Sequence, residues 1–168
     1  MNIAVQVEPS ERAVPGVEYR WDPDTDILSA QLHPAHGDRG MSGSVELEGA
    51  DGSWLILDVT EGRINGVEVA VWPEVAKHPT LSPPSKIEDG SVRVPSHRPQ
   101  QTIAALEVET PLMAEADAKE QTFHFRLGAA RRARTVRLGR DLLVDLDGTN
   151  HIVGLWLLNV PPFPAGSE

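Results

Sequence analysis

Cysteine is absent from the 168 residues, which excludes disulfides and thiolate-held metals. No apolar run approaches the roughly 18 residues that a membrane-spanning helix needs. Phosphate-cradling loops, nucleophile elbows, Ser/His/Asp arrangements and zinc-binding helices are missing too, so the common enzyme signatures do not apply. Gly37, Gly40 and Gly43 fall between predicted strands rather than before a helix, so they form no dinucleotide fingerprint. The start, Met1-Asn-Ile-Ala-Val-Gln-Val-Glu, has neither a basic nor an apolar leader region, and the expectation is a cytoplasmic protein with no membrane contact. Positive charge is scarce: 15 Lys and Arg stand against 25 Asp and Glu, a net charge of −10. Residues 1–78 hold 14 acidic and 5 basic side chains, so the deficit sits in the first half. An acidic surface repels nucleic acid and favours basic partners.

A pattern that occurs twice dominates what is present. Residues 54–71 contain a β-type run ending at Asp58, a polar turn, and a second run with Gly66 inside it. Residues 142–160 repeat this with Asp145 and Gly154. The separation is eight residues in the first copy and nine in the second. Two copies of one small β unit on a shared core follow, since either half alone would be marginal in size. The predicted fold is all-β and mainly antiparallel, two hairpin or meander repeats closed into a sandwich or open barrel. The first repeat spans 1–78, a Pro-rich connector 79–99, and the second repeat 100–168.

Six of the fourteen prolines lie in 73–99, and proline removes ladder donors, so this stretch is expected to connect rather than to pair centrally. A short hairpin around Asp89-Gly90 fits inside it. In the first half Val17, Tyr19 and Trp21 alternate with Glu18, Arg20 and Asp22, the period-2 pattern of a half-buried strand. Asp22-Pro-Asp24-Thr-Asp26 is a turn, and Leu28, Ala30 and Leu32 form the returning strand. In the second half Leu106 and Val108, then Phe123, Phe125 and Leu127, then Val136 and Leu138 keep the order. Residues 102–109 also tolerate helix. Thr110-Pro111 and the following Leu-Met-Ala-Glu-Ala-Asp-Ala-Lys-Glu predict one short helix near 111–120, with Thr as N-cap and Pro at the first helical position.

These residues resemble a known family. Tyr19-Arg-Trp-Asp-Pro-Asp-Thr-Asp-Ile-Leu28 and Leu57-Asp-Val-Thr-Glu-Gly-Arg-Ile-Asn-Gly-Val-Glu-Val69 are similar to the small bacterial domain of unknown function numbered 2283. That family pairs an aromatic-Asp-Pro hairpin with a Val-Asp-x-x-x-Gly-x-x-x-Gly-Ile-Glu-type hairpin. Residues 17–76 match both signatures. Residues 101–162 match only the later one, through Val144-Asp145 and Ile152-Val-Gly154. The family brings no activity with it. Some single-repeat members are similar to antitoxin-like partners of small ribonuclease-like toxins, so the resemblance implies a protein partner.

Several constellations suggest chemistry. Asp58 and Asp145 are equivalent in the two repeats and would form a shared acid pair if they met on a pseudo-twofold axis. Arg131, Arg132, Arg134, Arg137 and Arg140 cluster within ten residues. They pair with the acidic half, within or between subunits, bind an anion in a pocket between repeats, or are simply solvated. The stretch carries no stacking aromatics, so nucleic acid is not expected. His33, His36 and Asp38 offer donors but no fourth ligand, and they read as a solvated loop without metal. Asp22, Asp24 and Asp26 open like a calcium loop, but Ile27 and His33 stand where glycine and glutamate are required. Trp54–Leu57 and Leu155–Leu158 have no polar face, which makes Trp54, Ile56, Trp156 and Leu158 candidates for a homodimer interface. The sequence therefore points to a non-catalytic protein-interaction module, with a possible basic partner and no cofactor. The alternatives are an anion-binding protein and, last, a paired-acid hydrolase.

Overall fold

The computed structural model describes residues 3–9, 13–33, 42–95 and 106–164. Among them lie fourteen strands and no helix. The first eight are β1 (Gln6–Pro9), β2 (Gly16–Trp21), β3 (Leu28–His33), β4 (Ser42–Glu48), β5 (Trp54–Thr60), β6 (Arg63–Val71), β7 (Val75–His78) and β8 (Glu88–Arg93). The remainder are β9 (Leu106–Glu109), β10 (Leu112–Asp117), β11 (Phe123–Leu127), β12 (Arg134–Gly139), β13 (Leu142–Leu146) and β14 (Ile152–Leu157).

All join one curled, mixed sheet. Its order contains the same five-strand unit twice. The first unit runs β2-β3-β6-β5-β4 and the second β10-β11-β14-β13-β12, all antiparallel. The sequence pattern alone predicts antiparallel pairing. The parallel component comes from strands added at the unit edges: β9 beside β4, β8 beside β12, and β7 beside β10.

Alternation explains the strands. In β3, Leu28, Ala30 and Leu32 are buried while Gln31 and His33 are exposed. In β5, Leu55, Leu57 and Val59 point into the core. The sheet curls around one apolar cluster that takes Leu28, Leu55, Leu57 and Ile64 from the first unit and Phe125, Leu142, Val144 and Leu155 from the second. Turn chemistry closes the hairpins. Asp22 accepts the backbone N–H groups of Asp24 and Asp26 through its side chain and carbonyl respectively, so the aspartates of that loop serve the β2–β3 turn. The β5–β6 loop is Glu61-Gly62, both at positive φ (52° and 79°), the twist a two-residue hairpin loop needs.

Three expectations are corrected. Residues 112–117 form strand β10, not a helix. Leu112, Ala114 and Ala116 face the core and Met113, Glu115 and Asp117 do not. Pairing with β7 and β11 on both sides outweighs the helical propensity of Met-Ala-Glu-Ala. The β10–β11 hairpin is thus the counterpart of β2–β3, and Asp117 caps its turn by accepting the N–H groups of Gln121 and Thr122. Strand β9 does not open the second unit but extends the first. Finally, Asp89-Gly90 is no hairpin: it lies inside β8, a strand between the units that also carries β1. The prolines flank this strand, which is why it can pair. Pro79, Pro83 and Pro84 precede it, and Pro95 follows.

Candidate functional site

The ladder registers allow the two units to be compared residue by residue on the face turned away from the core. In the first unit one row across the strands reads Ser44, Asp58, Gly66, Gln31, Glu18. The same row in the second reads Thr135, Asp145, Gly154, Arg126, Met113. The adjacent rows read Glu46, Ile56, Glu68, Ser29, Arg20 and Arg137, Leu143, Trp156, His124, Glu115. The Asp–Gly pair recurs, with a register shift directly after each Asp. What surrounds it does not.

In the second unit Asp145 is buried, 2% exposed, and three side chains converge on its carboxylate. Thr135 Oγ1 donates to Oδ1 at 2.7 Å, and Trp156 Nε1 donates to Oδ2 at 3.0 Å. His124 Nε2 lies 3.0 Å from Oδ2. The imidazole stacks on the Trp156 indole with centroids 4.1 Å apart. Glu115 Oε1 lies 3.6 Å from His124 Nδ1, and its other oxygen lies 2.7 Å from His78 Nε2. Gly154 makes this possible: a Cβ there would stand 2.8 Å from Asp145 Oδ2 and 3.0 Å from His124 Nε2. A cavity of about 290 Å³ opens over the network, lined by Glu115, His124, Arg126, Arg131, Arg132, Asp145, Val153 and Trp156 among others.

The first unit uses the same backbone differently. Asp58 is half-buried and accepts a short hydrogen bond from Gln31 Nε2. Glu68 lies on the neighbouring strand, and partial burial, followed by repulsion from Asp58, pushes its carboxyl pKa upward. Beyond them the face becomes strongly acidic. Glu46 pairs in register with Glu107 and Glu48 with Glu109 across β4 and β9. Glu46, Glu48, Gly52, Trp54 and Glu107 line a small cavity of about 150 Å³, and Trp54 is 38% exposed.

The sequence candidates separate accordingly. Asp58 and Asp145 do not meet. Strands β6, β8 and β12 stand between theirs, about 19 Å along the sheet at about 4.8 Å per strand. Each carboxylate has partners of its own unit, so the shared acid pair does not form. Of the arginines, only Arg131 and Arg132 line the cavity. Arg134 is held by both oxygens of Glu88 at 2.8 and 3.0 Å. Arg137 buries its Nε without a partner, and Arg140 is exposed. Trp54 and Ile56 remain on the outer face. Trp156 is only 6% exposed and committed to Asp145 and His124, so it is no interface residue, and Leu158 is half-buried. His33 is exposed at the end of β3, while His36 and Asp38 lie outside the described residues. No group of metal-ligating side chains forms among the described residues.

The sequence pattern points to Asp145 and Gly154 but not to His124, Thr135, Glu115 or Arg126 as their neighbours. The available signal was the polar alternation of His124 and Arg126 with Phe123, Phe125 and Leu127. Its partner strand was not visible. An aromatic groove was missed as well. Trp21 and Trp72 stack at 5.7 Å, Phe163 meets Trp21 edge-on at 5.3 Å, and Trp21 Nε1 donates to the Pro161 carbonyl at 2.8 Å. Phe163, near the chain's own C-terminal end, lines it.

Compared with protein-family models and with curated proteins, the chain matches none of either.

Proposed function

We propose that this protein is a non-catalytic protein-interaction module that docks a basic segment of another protein on the outer face of its first unit. The observation that carries the reading is the pair of like-charged partners on β4 and β9, Glu46 with Glu107 and Glu48 with Glu109, beside the exposed Trp54. Like charges side by side on neighbouring strands destabilise the pairing. Among the described residues no cation pairs with any of these four carboxylates. A lysine or arginine of a partner entering there would relieve the repulsion and find the Trp54 indole face for a cation–π contact. Asp58 and Glu68 extend the negative surface around Ile56.

The same features argue against a symmetric dimer through this patch. A twofold interface sets a patch against its own copy, and here that would oppose two sets of carboxylates. With Trp156 covered inside the chain, the homodimer expected from the two apolar runs loses half of its basis. A foreign, basic partner also accords with the antitoxin-like proteins that the resemblance to the bacterial family 2283 brings in.

The test is titration of a fluorescein-labelled lysine-rich peptide against the full chain, with a glutamate-rich peptide as control. Binding of the basic peptide is expected to weaken with salt. It should fall about tenfold or more in Trp54→Ala and in Glu46→Gln/Glu107→Gln, and be unchanged in Glu120→Gln, an exposed acid in the β10–β11 turn of the second unit. Equal losses in all variants, or none in the first two, would overturn the reading.

A further inference from the structure

We propose that the second unit holds a binding site for a small phosphomonoester, gripped by the guanidinium groups of Arg126, Arg131 and Arg132 over the His124–Asp145 network. This goes beyond the protein-docking reading and uses the other half of the molecule.

The charge balance of the cavity is the first argument. Its wall holds three arginines and two carboxylates, Glu115 and Asp145. Both carboxylates are already answered. Asp145 takes hydrogen bonds from Thr135 and Trp156 and faces the imidazole of His124, and Glu115 lies against His78. The guanidinium groups are not. Among the described residues none of the three has an ion-pair or hydrogen-bonding partner, whereas Arg134, a few residues on, is fully occupied by Glu88. Free guanidinium forks in a chain of net charge −10 make a local positive site inside a negative field. Such forks suit tetrahedral oxyanions because they donate in parallel pairs.

Construction is the second argument. His124 is fixed by Asp145 below and by the Trp156 ring beside it, and Asp145 is fixed by Thr135. A wall whose members are held by further hydrogen bonds keeps its shape while a ligand enters and leaves. The first unit serves as an internal comparison. On the same backbone it carries Gln31 where the second has Arg126, Ser29 where the second has His124, and Glu68 where the second has Trp156. Those three side chains supply no cation, and the first unit's arginine in these rows, Arg20, stands alone where the second has Glu115. The duplicated frame is therefore common to both units, and the cationic site belongs to one.

Size selects the ligand class. A cavity of about 290 Å³ lies at the lower end of small-molecule sites, which run from about 300 Å³ upward. It admits a phosphorylated small molecule. Nucleic acid is disfavoured because single strands need open aromatic platforms, and Trp156 is covered by His124.

Isothermal titration of the full chain with glycerol 3-phosphate tests this, with glycerol and sodium chloride at matched ionic strength as controls and inorganic phosphate as a second probe. Saturable binding with Kd at or below about 1 mM is expected for the two phosphates and none for glycerol. Arg126→Gln and Arg131→Ala/Arg132→Ala should each weaken it about tenfold or more, and Arg140→Ala should leave it unchanged. Thermal unfolding without ligand checks that the variants fold, which their exposed positions favour. Failure to saturate, displacement by chloride at equal ionic strength, or binding that survives loss of the arginines would each overturn the proposal. Binding of inorganic phosphate alone would overturn the ester and reduce the site to one for the free ion.

Discussion

Asp145 stands directly across its hairpin from Gly154, and the carboxylate occupies the space a side chain at 154 would need. The first unit repeats the relation with Asp58 and Gly66, but the space above Gly66 is taken by the end of the flexible, exposed Gln31 side chain. This difference predicts an order of tolerance to alanine. Gly154→Ala should cost about 1–3 kcal/mol, because the new methyl meets groups fixed by other bonds. Gly66→Ala should cost less, since Gln31 can swing away. Gly148→Ala, with nothing within 4 Å of its Cβ, should lie within about 0.5 kcal/mol of the parent. Chemical denaturation of the three variants would show the ranking. Equal effects at 154 and 66 would contradict the account of the network.

The two aspartates should differ in the same way. Asp145→Ala leaves the Thr135 hydroxyl and the Trp156 indole N–H buried without their acceptor and removes the partner of the half-buried His124 ring. Each unsatisfied buried donor costs about 1–3 kcal/mol, so a loss of about 3 kcal/mol or more is expected. Asp58→Ala removes one bond to an exposed glutamine and also removes a charge beside Glu68, so a change below about 1 kcal/mol is expected. Urea unfolding of both variants, followed by tryptophan fluorescence, would separate them.

Much of this arrangement could be read from the chain before any coordinates. The Asp–Gly spacing, eight residues in one copy and nine in the other, marks the two hairpins that carry the equivalent pairs. The alternation in 17–32 and 123–127 marks the strands. What could not be read depends on which strand lies beside which. Residues 112–117 have helical propensity and become a strand because β7 and β11 flank them. β8 lies among prolines and still pairs centrally, because the prolines fall outside it. The His124–Asp145 pair brings together residues on β11 and β13 that meet only through β14. Trp156 illustrates the limit of pattern reading: an apolar run without a polar face suggested an interface, but His124 covers that face from within.

Tyr19 ties the two halves together. It sits on β2, and its hydroxyl lies 2.9 Å from the Asp141 carbonyl and 2.8 Å from that of Leu158, both in the second unit. Burial, and secondarily the charge of Asp141, hold the phenol pKa well above its ordinary value, so the hydroxyl stays a donor through the physiological range. Tyr19→Phe removes that donor and keeps the ring packed. A loss of about 1 kcal/mol is expected. Hydrogen exchange in the first unit and around 141–158 should accelerate together. Acceleration confined to one unit would mean that the hydroxyl does not couple them.

Glu68 gives the acidic face a signature in pH. Its pKa is raised in the folded chain by partial burial and by Asp58. The folded state therefore binds this proton more tightly than the unfolded state, and stability falls as pH rises from the ordinary glutamate value through the raised one. Above that window the ionised side chain carries its full penalty. Below the ordinary value both states are protonated and the penalty is gone. Glu68→Gln should accordingly raise the melting temperature at neutral pH, and the gain should shrink to nothing as pH falls below the usual glutamate range. Because the group is only partly buried, the shift is expected to be small and to diminish in salt. Saturating lysine-rich peptide should diminish it too, since a cation on the face stabilises the ionised Glu68. A gain that persists at acid pH would assign the effect to packing rather than charge. A gain untouched by the peptide would place the basic partner elsewhere on the molecule.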